Sequence, residues 1–172
     1  ISLLIATFAD TPRTTADVTG AATIYFAPDV GDRITVYDGA RLKLYRFDEL
    51  SLALGTLTSG LPYDVFIYDN AGTLTLELLA WTDGTTRATA LTTQNGVLVK
   101  TGATTRRYLG TFYTTSTTTT EDSAAKRFVW NYYNRVKRKM VVNEATASWT
   151  YGTAAWRPMN NSTANRLQLV IG

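Results

Sequence analysis

Asp64 and Asp69 bracket the run YDVFIYD, and Asp48 and Glu49 stand side by side. Carboxylates can cleave a glycosidic bond, but only when two of them face each other across the bond in a cleft. The spacing here marks no cleft, and an acidic residue at a strand end is ordinary turn chemistry. The 172 residues include no histidine and no cysteine. This removes Ser-His and Cys-His nucleophile pairs, an imidazole base, the usual zinc sites and any disulfide. A non-enzymatic chain is therefore expected, with no catalytic residue, no cofactor and no metal site. Asp64 is the carboxylate whose loss would expose a polysaccharide depolymerase if that rival reading held.

Aromatic and cationic residues supply the other chemistry. Trp149, Tyr151 and Trp156 surround TYGTAA and are candidate glycan contacts; the plainer reading makes the two tryptophans cross-strand partners in a short hairpin. Trp81 and Trp130 are expected in the core. Arg135, Lys137, Arg138 and Lys139 follow a dense aromatic patch, superficially like a platform for single-stranded nucleic acid. In a strand they would split between two faces, so an edge-protecting role is expected and no nucleic-acid partner. The net charge is only +3, and the pI of 9.2 is high because no histidine buffers the titration. NNS and NST at 160–163 match glycosylation acceptors, a short pattern relevant only in a secretory setting.

The elements that must carry these residues read as strands. Apolar residues alternate with a period of two along most of the chain, the pattern of a sheet with one face buried. RITVYDG and RLKLYRF form an expected hairpin over 33–47 turning at Asp38-Gly39, with Leu42 and Leu44 on one side and Arg41, Lys43 and Tyr45 on the other. YDVFIYD is apolar on both faces and predicts a central strand. TLTLELLAW, which puts Leu74, Leu76 and Leu78 together, pairs with it across Asn70-Ala71-Gly72. Asn95-Gly96 and Thr101-Gly102 mark further turns. NRLQLVIG aligns Leu167, Leu169 and Ile171 in a last strand. The expected fold is all-β: an antiparallel, jelly-roll-like β-sandwich with at most one short helix.

TTSTTTTEDSAAKRFVWNYYNRV admits two readings. Acidic residues ahead of Ala124 and Ala125, with basic residues behind, suit a helix. The β-branched and aromatic residues favour a strand with Phe128, Trp130 and Tyr132 on one face and Val129, Asn131, Tyr133 and Arg135 on the other. The strand is preferred, with a helical turn allowed at 123–126 and the threonine run as a long hairpin loop.

Residues 1–20 are expected to form an N-terminal arm or first strand, and 21–172 one β-sandwich domain. ISLLIATFAD is too short to cross a bilayer and lacks the features of a cleaved signal, so no membrane insertion is expected. Starting without methionine, the chain is expected to be processed or part of a longer product. Leu3, Leu4, Ile5 and Phe8 are candidate subunit contacts, because such a segment can add a strand to a neighbour's sheet edge. Phe128, Trp130 and Tyr132 complete that candidate set.

The stretch from LTSGLPYDVFIYDNAGTLTLELLAW through TGATTRRYLGTFYTT, followed by TEDSAAKRFVWNYYNRV and SWTYGTAAWR, resembles a recurring module of tailed-bacteriophage virion proteins. The resemblance covers nearly the whole chain from Thr14, including TTADVTGAATIYFAP and VYDG. It implies a β-rich, homo-oligomeric particle component, a tail fibre or spike part or a capsid decoration. Its partners would be copies of itself, with a trimer as the expected state, other virion proteins and a host-surface glycan. It assigns no activity to any residue. The alternatives are a carbohydrate-binding module and a fragment of a polysaccharide depolymerase.

Overall fold

The computed structural model describes residues 2–5 and 16–172, the first four by backbone only. Phe8 lies outside the described residues. Among them the chain forms β1 (Ser2–Ile5), β2 (Val18–Ala21), β3 (Thr23–Ala27), β4 (Arg33–Tyr37), β5 (Leu42–Arg46) and β6 (Leu50–Ala53). There follow β7 (Pro62–Asn70), β8 (Thr73–Ala80), β9 (Leu91–Gln94), β10 (Val97–Lys100) and β11 (Ala103–Tyr113). The last strands are short: β12 (Thr120–Asp122), β13 (Lys126–Arg127), β14 (Val129–Asn131) and β15 (Gln168–Leu169). The described residues contain no α-helix, only 3-10 turns at Met159–Asn161 and Thr163–Asn165.

The fold is an all-β sandwich, as expected. One layer runs β8-β7-β11-β10-β9, with β14 also paired to β11. The run that is apolar on both faces, β7, lies between β8 and β11 and is buried from Pro62 to Ile67. Facing it are the sheet β1-β3-β6 and the hairpin β4-β5. Between the layers Ile24, Phe26, Ile34, Val36, Val65, Ile67, Leu109 and Phe112 are essentially sealed from water. Burying each such side chain contributes about 1.5–3 kcal/mol, which is why the alternation fixes the register. Leu74, Leu76 and Leu78 face this core, as their spacing predicts.

Two-residue turns join the long strands. Asn95 and Gly96 take φ of 50° and 79°, and Ala71 and Gly72 take 52° and 97°. Both pairs occupy the left-handed region that such hairpins require. In β11 the register against β7 slips between Tyr108 and Gly110. This bulge at Leu109 lets Leu109 and Phe112 face the core while Tyr108 and Thr111 share the outer face with Phe66 and Asp64.

Several expectations need correcting. In β5 the inward residue is Tyr45, which packs against the core opposite Ile34, whereas Leu44 is 56% exposed. An aromatic ring with a hydroxyl that reaches Asp69 buries more area than Leu44 would. The threonine run is a tight turn, not a long loop: Thr115 N–H donates to the Thr119 carbonyl at 2.8 Å, and Thr114 and Thr120 are fully buried. Residues 123–126 form a hairpin turn, not a helical one, because Ser123 and Lys126 exchange backbone hydrogen bonds in both directions. The following strand stops at Asn131; Val129 within it and Tyr133 beyond its end pack against the core. The last strand is only Gln168–Leu169, and the buried residue of this stretch is Val170 just beyond it; Leu167, Leu169 and Ile171 are exposed. TYGTAA is not a hairpin, since residues 142–157 form no strand.

Candidate interaction surface

The carboxylates come apart in three dimensions. Asp69 is held by the Tyr45 hydroxyl, which lowers its pKa, and by the Gly72 N–H and the Lys43 ammonium. Asp48 is exposed on a connection. Asp64 is 1% exposed on the outer face of β7. It accepts the Thr111 hydroxyl at 2.7 Å and the Arg87 Nε at 2.9 Å. The Arg87 guanidinium lies 4.6 Å from the Trp81 ring centroid and 5.5 Å from that of Tyr108. The Tyr108 hydroxyl is bonded to Thr111 at 2.7 Å, and burial pushes its pKa up to about 12. Asp69 is paired with Lys43 and Asp64 with Arg87, and no second carboxylate faces Asp64 among these partners. The cluster ties the 81–90 connection to the sheet and presents none of the paired acids that glycoside hydrolysis needs. Among the described residues, no group of three or more acidic side chains could hold a metal ion.

The aromatic and basic candidates separate into a buried set and an exposed set. Phe128 is buried against Tyr113, with ring centroids 4.9 Å apart. Tyr132 packs on Tyr108 at 5.7 Å. Arg135 spreads over both Trp130 and Tyr132, at 5.1 and 4.9 Å. These three aromatics therefore pack within their own chain. Leu3, Leu4 and Ile5 lie in β1, antiparallel to β3 of the same chain. Of the cations, Arg138 bonds Asp122 at 3.1 Å, and Lys137 and Lys139 are exposed. Burial raises the Asp122 pKa against the opposing pull of Arg138 and Arg127.

Residues 142–167 leave the sandwich as a long loop closed at its base. Val141 N–H donates to the Ala124 carbonyl at 2.9 Å and Gln168 N–H to the Ala125 carbonyl at 3.0 Å, so both ends sit on adjacent residues of one hairpin tip. Asn165 closes the neck by donating to the Glu144 carboxylate, and Asn160 donates to Thr146 at 3.1 Å. Further out, the Tyr151 hydroxyl donates to the Pro158 carbonyl and accepts from the Asn161 N–H at 3.1 Å. Asn160 and Asn161 both take left-handed φ, near 52° and 51°, to make that bend. No backbone hydrogen bond joins residues 142–157 to another described residue. A loop of this length packed by its own polar side chains is characteristically functional.

Its apolar residues point outward. Trp156 is wholly exposed, and Trp149, Tyr151 and Met159 are each 39% exposed. Arg157 stands over the Tyr151 ring at 5.3 Å. The three glycan candidates thus share one protrusion, built by side-chain hydrogen bonds that strand periodicity could not reveal. Tryptophan, tyrosine, methionine and arginine are the residues enriched where proteins meet.

Where the chain returns, residues 168–171 lie along the outer face of the large sheet. With Pro62, Trp81, Gly84, Tyr113 and Phe128 they line a cleft of about 210 Å³. Trp81 is buried but its indole N–H has no hydrogen-bond partner. Arg87 and the cleft carried no sequence signal, since both depend on the 81–90 connection folding back over β7. Compared with known protein-family models, curated proteins and solved structures, the chain shows no significant match.

Proposed function

We propose that the chain is a non-enzymatic structural part of a bacteriophage particle, a tail-fibre or spike component or a capsid-surface protein. It acts by packing against copies of itself and other particle proteins, with host-surface contact as a further role. The observation that carries this reading is the protrusion 142–167, which holds a fully exposed Trp156 beside half-exposed Trp149, Tyr151 and Met159. Apolar area of this kind is costly in water and is stabilised when a partner covers it. The sequence resemblance to virion modules points the same way. Mass spectrometry of purified particles, with imaging of the particle surface, tests it: the chain should be present in fixed stoichiometry and occupy resolved density. Its absence from purified particles would overturn the reading.

A second reading, a carbohydrate-binding module, draws on the same exposed rings. Glycan-array binding by the isolated chain that disappears in Trp156→Ala would favour it, whereas an array with no bound glycan would remove it.

A further inference from the structure

Adjacent basic residues occur at three places in the sequence: Arg106-Arg107, Lys126-Arg127 and Lys137-Arg138-Lys139. The fold treats them differently. Arg106 and Arg107 lie in β11, which has β7 on one side and β10 on the other, and Arg107 is buried. Lys126 and Arg127 form β13, held between β12 and β15, and both are half-buried. The third run has left the sheets. Residues 134–146 contain no strand, turn or bend, so the chain does not fold back on itself there, and every residue from Arg135 to Lys139 is exposed.

This difference decides which peptide bond a protease can reach. A protease takes its substrate as an extended strand, and that pairing needs backbone N–H and C=O groups that are free. In β11 and β13 the backbone already runs between two neighbouring strands. Among the described residues, no hydrogen bond engages the backbone of Arg135, Val136, Lys137 or Arg138. The Lys139 carbonyl accepts from the Arg127 guanidinium at 3.0 Å, which shields the bond after Lys139. The bond between Arg138 and Lys139 is left open, with two cations ahead of it. To enter a protease pocket Arg138 must leave Asp122, 3.1 Å away. That pair is partly exposed and separates readily, and Asp122 keeps Arg127 at 3.3 Å.

We propose that Lys137-Arg138-Lys139 is a protease-cleavage site, cut between Arg138 and Lys139 by an endoprotease specific for paired basic residues. In that step water adds across the amide: Arg138 gains a carboxylate and Lys139 a free amino group, with every catalytic group supplied by the protease. The cut divides 1–138 from 139–172 without opening the sandwich. The N–H groups of Val141, Gln168 and Val170 still donate to the carbonyls of Ala124, Ala125 and Arg127 at 2.9–3.0 Å, and Val170 stays buried. The piece that carries Trp149, Tyr151 and Trp156 is then held without a covalent link, so its attachment follows mass action. Cleavage thus makes the protrusion 142–167 releasable, whatever surface it meets, and the inference does not depend on the assembly reading.

The test is to incubate the folded 172-residue chain with a paired-basic endoprotease and follow intact masses over time. The first products should be 1–138 and 139–172, formed before any cut at Arg106-Arg107 or Lys126-Arg127. Size-exclusion chromatography without denaturant should keep the two pieces together, and urea should part them. The nicked protein should melt at a lower temperature than the intact chain, with a midpoint that rises with protein concentration. Lys137→Ser combined with Arg138→Ser should slow the cut by at least about 100-fold. Both side chains are exposed, so this variant is expected to fold, and its own thermal melt checks that. A folded chain that stays intact while its unfolded form is cut would overturn the site, as would a first cut at either strand pair or an undiminished rate in the doubly substituted chain. Pieces that part without denaturant would overturn the retained attachment.

Discussion

Arg87 reaches back from the connection after β8 to Asp64 in the middle of β7, with its Nε 2.9 Å from a carboxylate that is 1% exposed. The pair spans 23 positions of sequence and closes the outer face of the sheet with Thr111 and Tyr108 around it. Removing one member leaves the other charge uncompensated. Arg87→Ala is expected to lower unfolding stability by about 3–5 kcal/mol, with Asp64→Asn in the same direction. The double variant should cost less than the sum of the two, as read in a urea-unfolding cycle. Additive losses would show that the two side chains do not act as a pair.

Tyr108 makes stability fall in alkali. Burial raises its pKa from 10.0 to about 12, so the folded state holds the phenolic proton more tightly than the unfolded chain. The contribution is complete below pH 10 and is lost as pH rises through the folded value near 12. Over that window the wild type should lose about 3 kcal/mol more than Tyr108→Phe, measured as the difference in urea midpoints. Identical alkaline profiles for the two proteins would remove Tyr108 as the cause.

Ala71 sits at φ 52° in the turn between β7 and β8, a conformation that an alanine adopts at a cost. Ala71→Asn should raise stability by about 0.5–1 kcal/mol, since Asn-Gly is the preferred pair for this turn. A thermal melt shifted upward checks it. Ala71 is exposed, so no packing change competes with the effect.

Two threonines four positions apart should behave in opposite ways. Thr114 is fully buried; its hydroxyl donates to the Thr58 carbonyl at 2.7 Å and accepts from the Leu61 N–H at 3.0 Å. Thr114→Val leaves those groups unpaired and is expected to cost about 1–3 kcal/mol. Thr118→Val, exposed at the tip of the same run, should stay within about 0.5 kcal/mol of wild type. Chemical denaturation of both variants separates a structural turn from a solvated tract.

The alternation in RITVY and TLTLELLAW and the doubly apolar run YDVFIYD, with Asp-Gly, Ala-Gly and Asn-Gly between runs, were enough to determine strands, hairpins and a two-layer β fold. These are local properties: a period of two and a turn dipeptide each act within a few residues. Whether Leu44 or Tyr45 faced the core, and whether Val170 or its neighbours did, required the opposing layer, because both phases of a short strand offer apolar area. Arg87, the cleft and the protrusion were decided by tertiary structure alone. Asp64 finds Arg87 across a folded-back connection, and residues 142–167 take their shape from side-chain bonds such as Asn165 to Glu144. Contacts between residues far apart in the chain leave no period to read, so the residues that could do chemistry were visible one by one and their grouping was not.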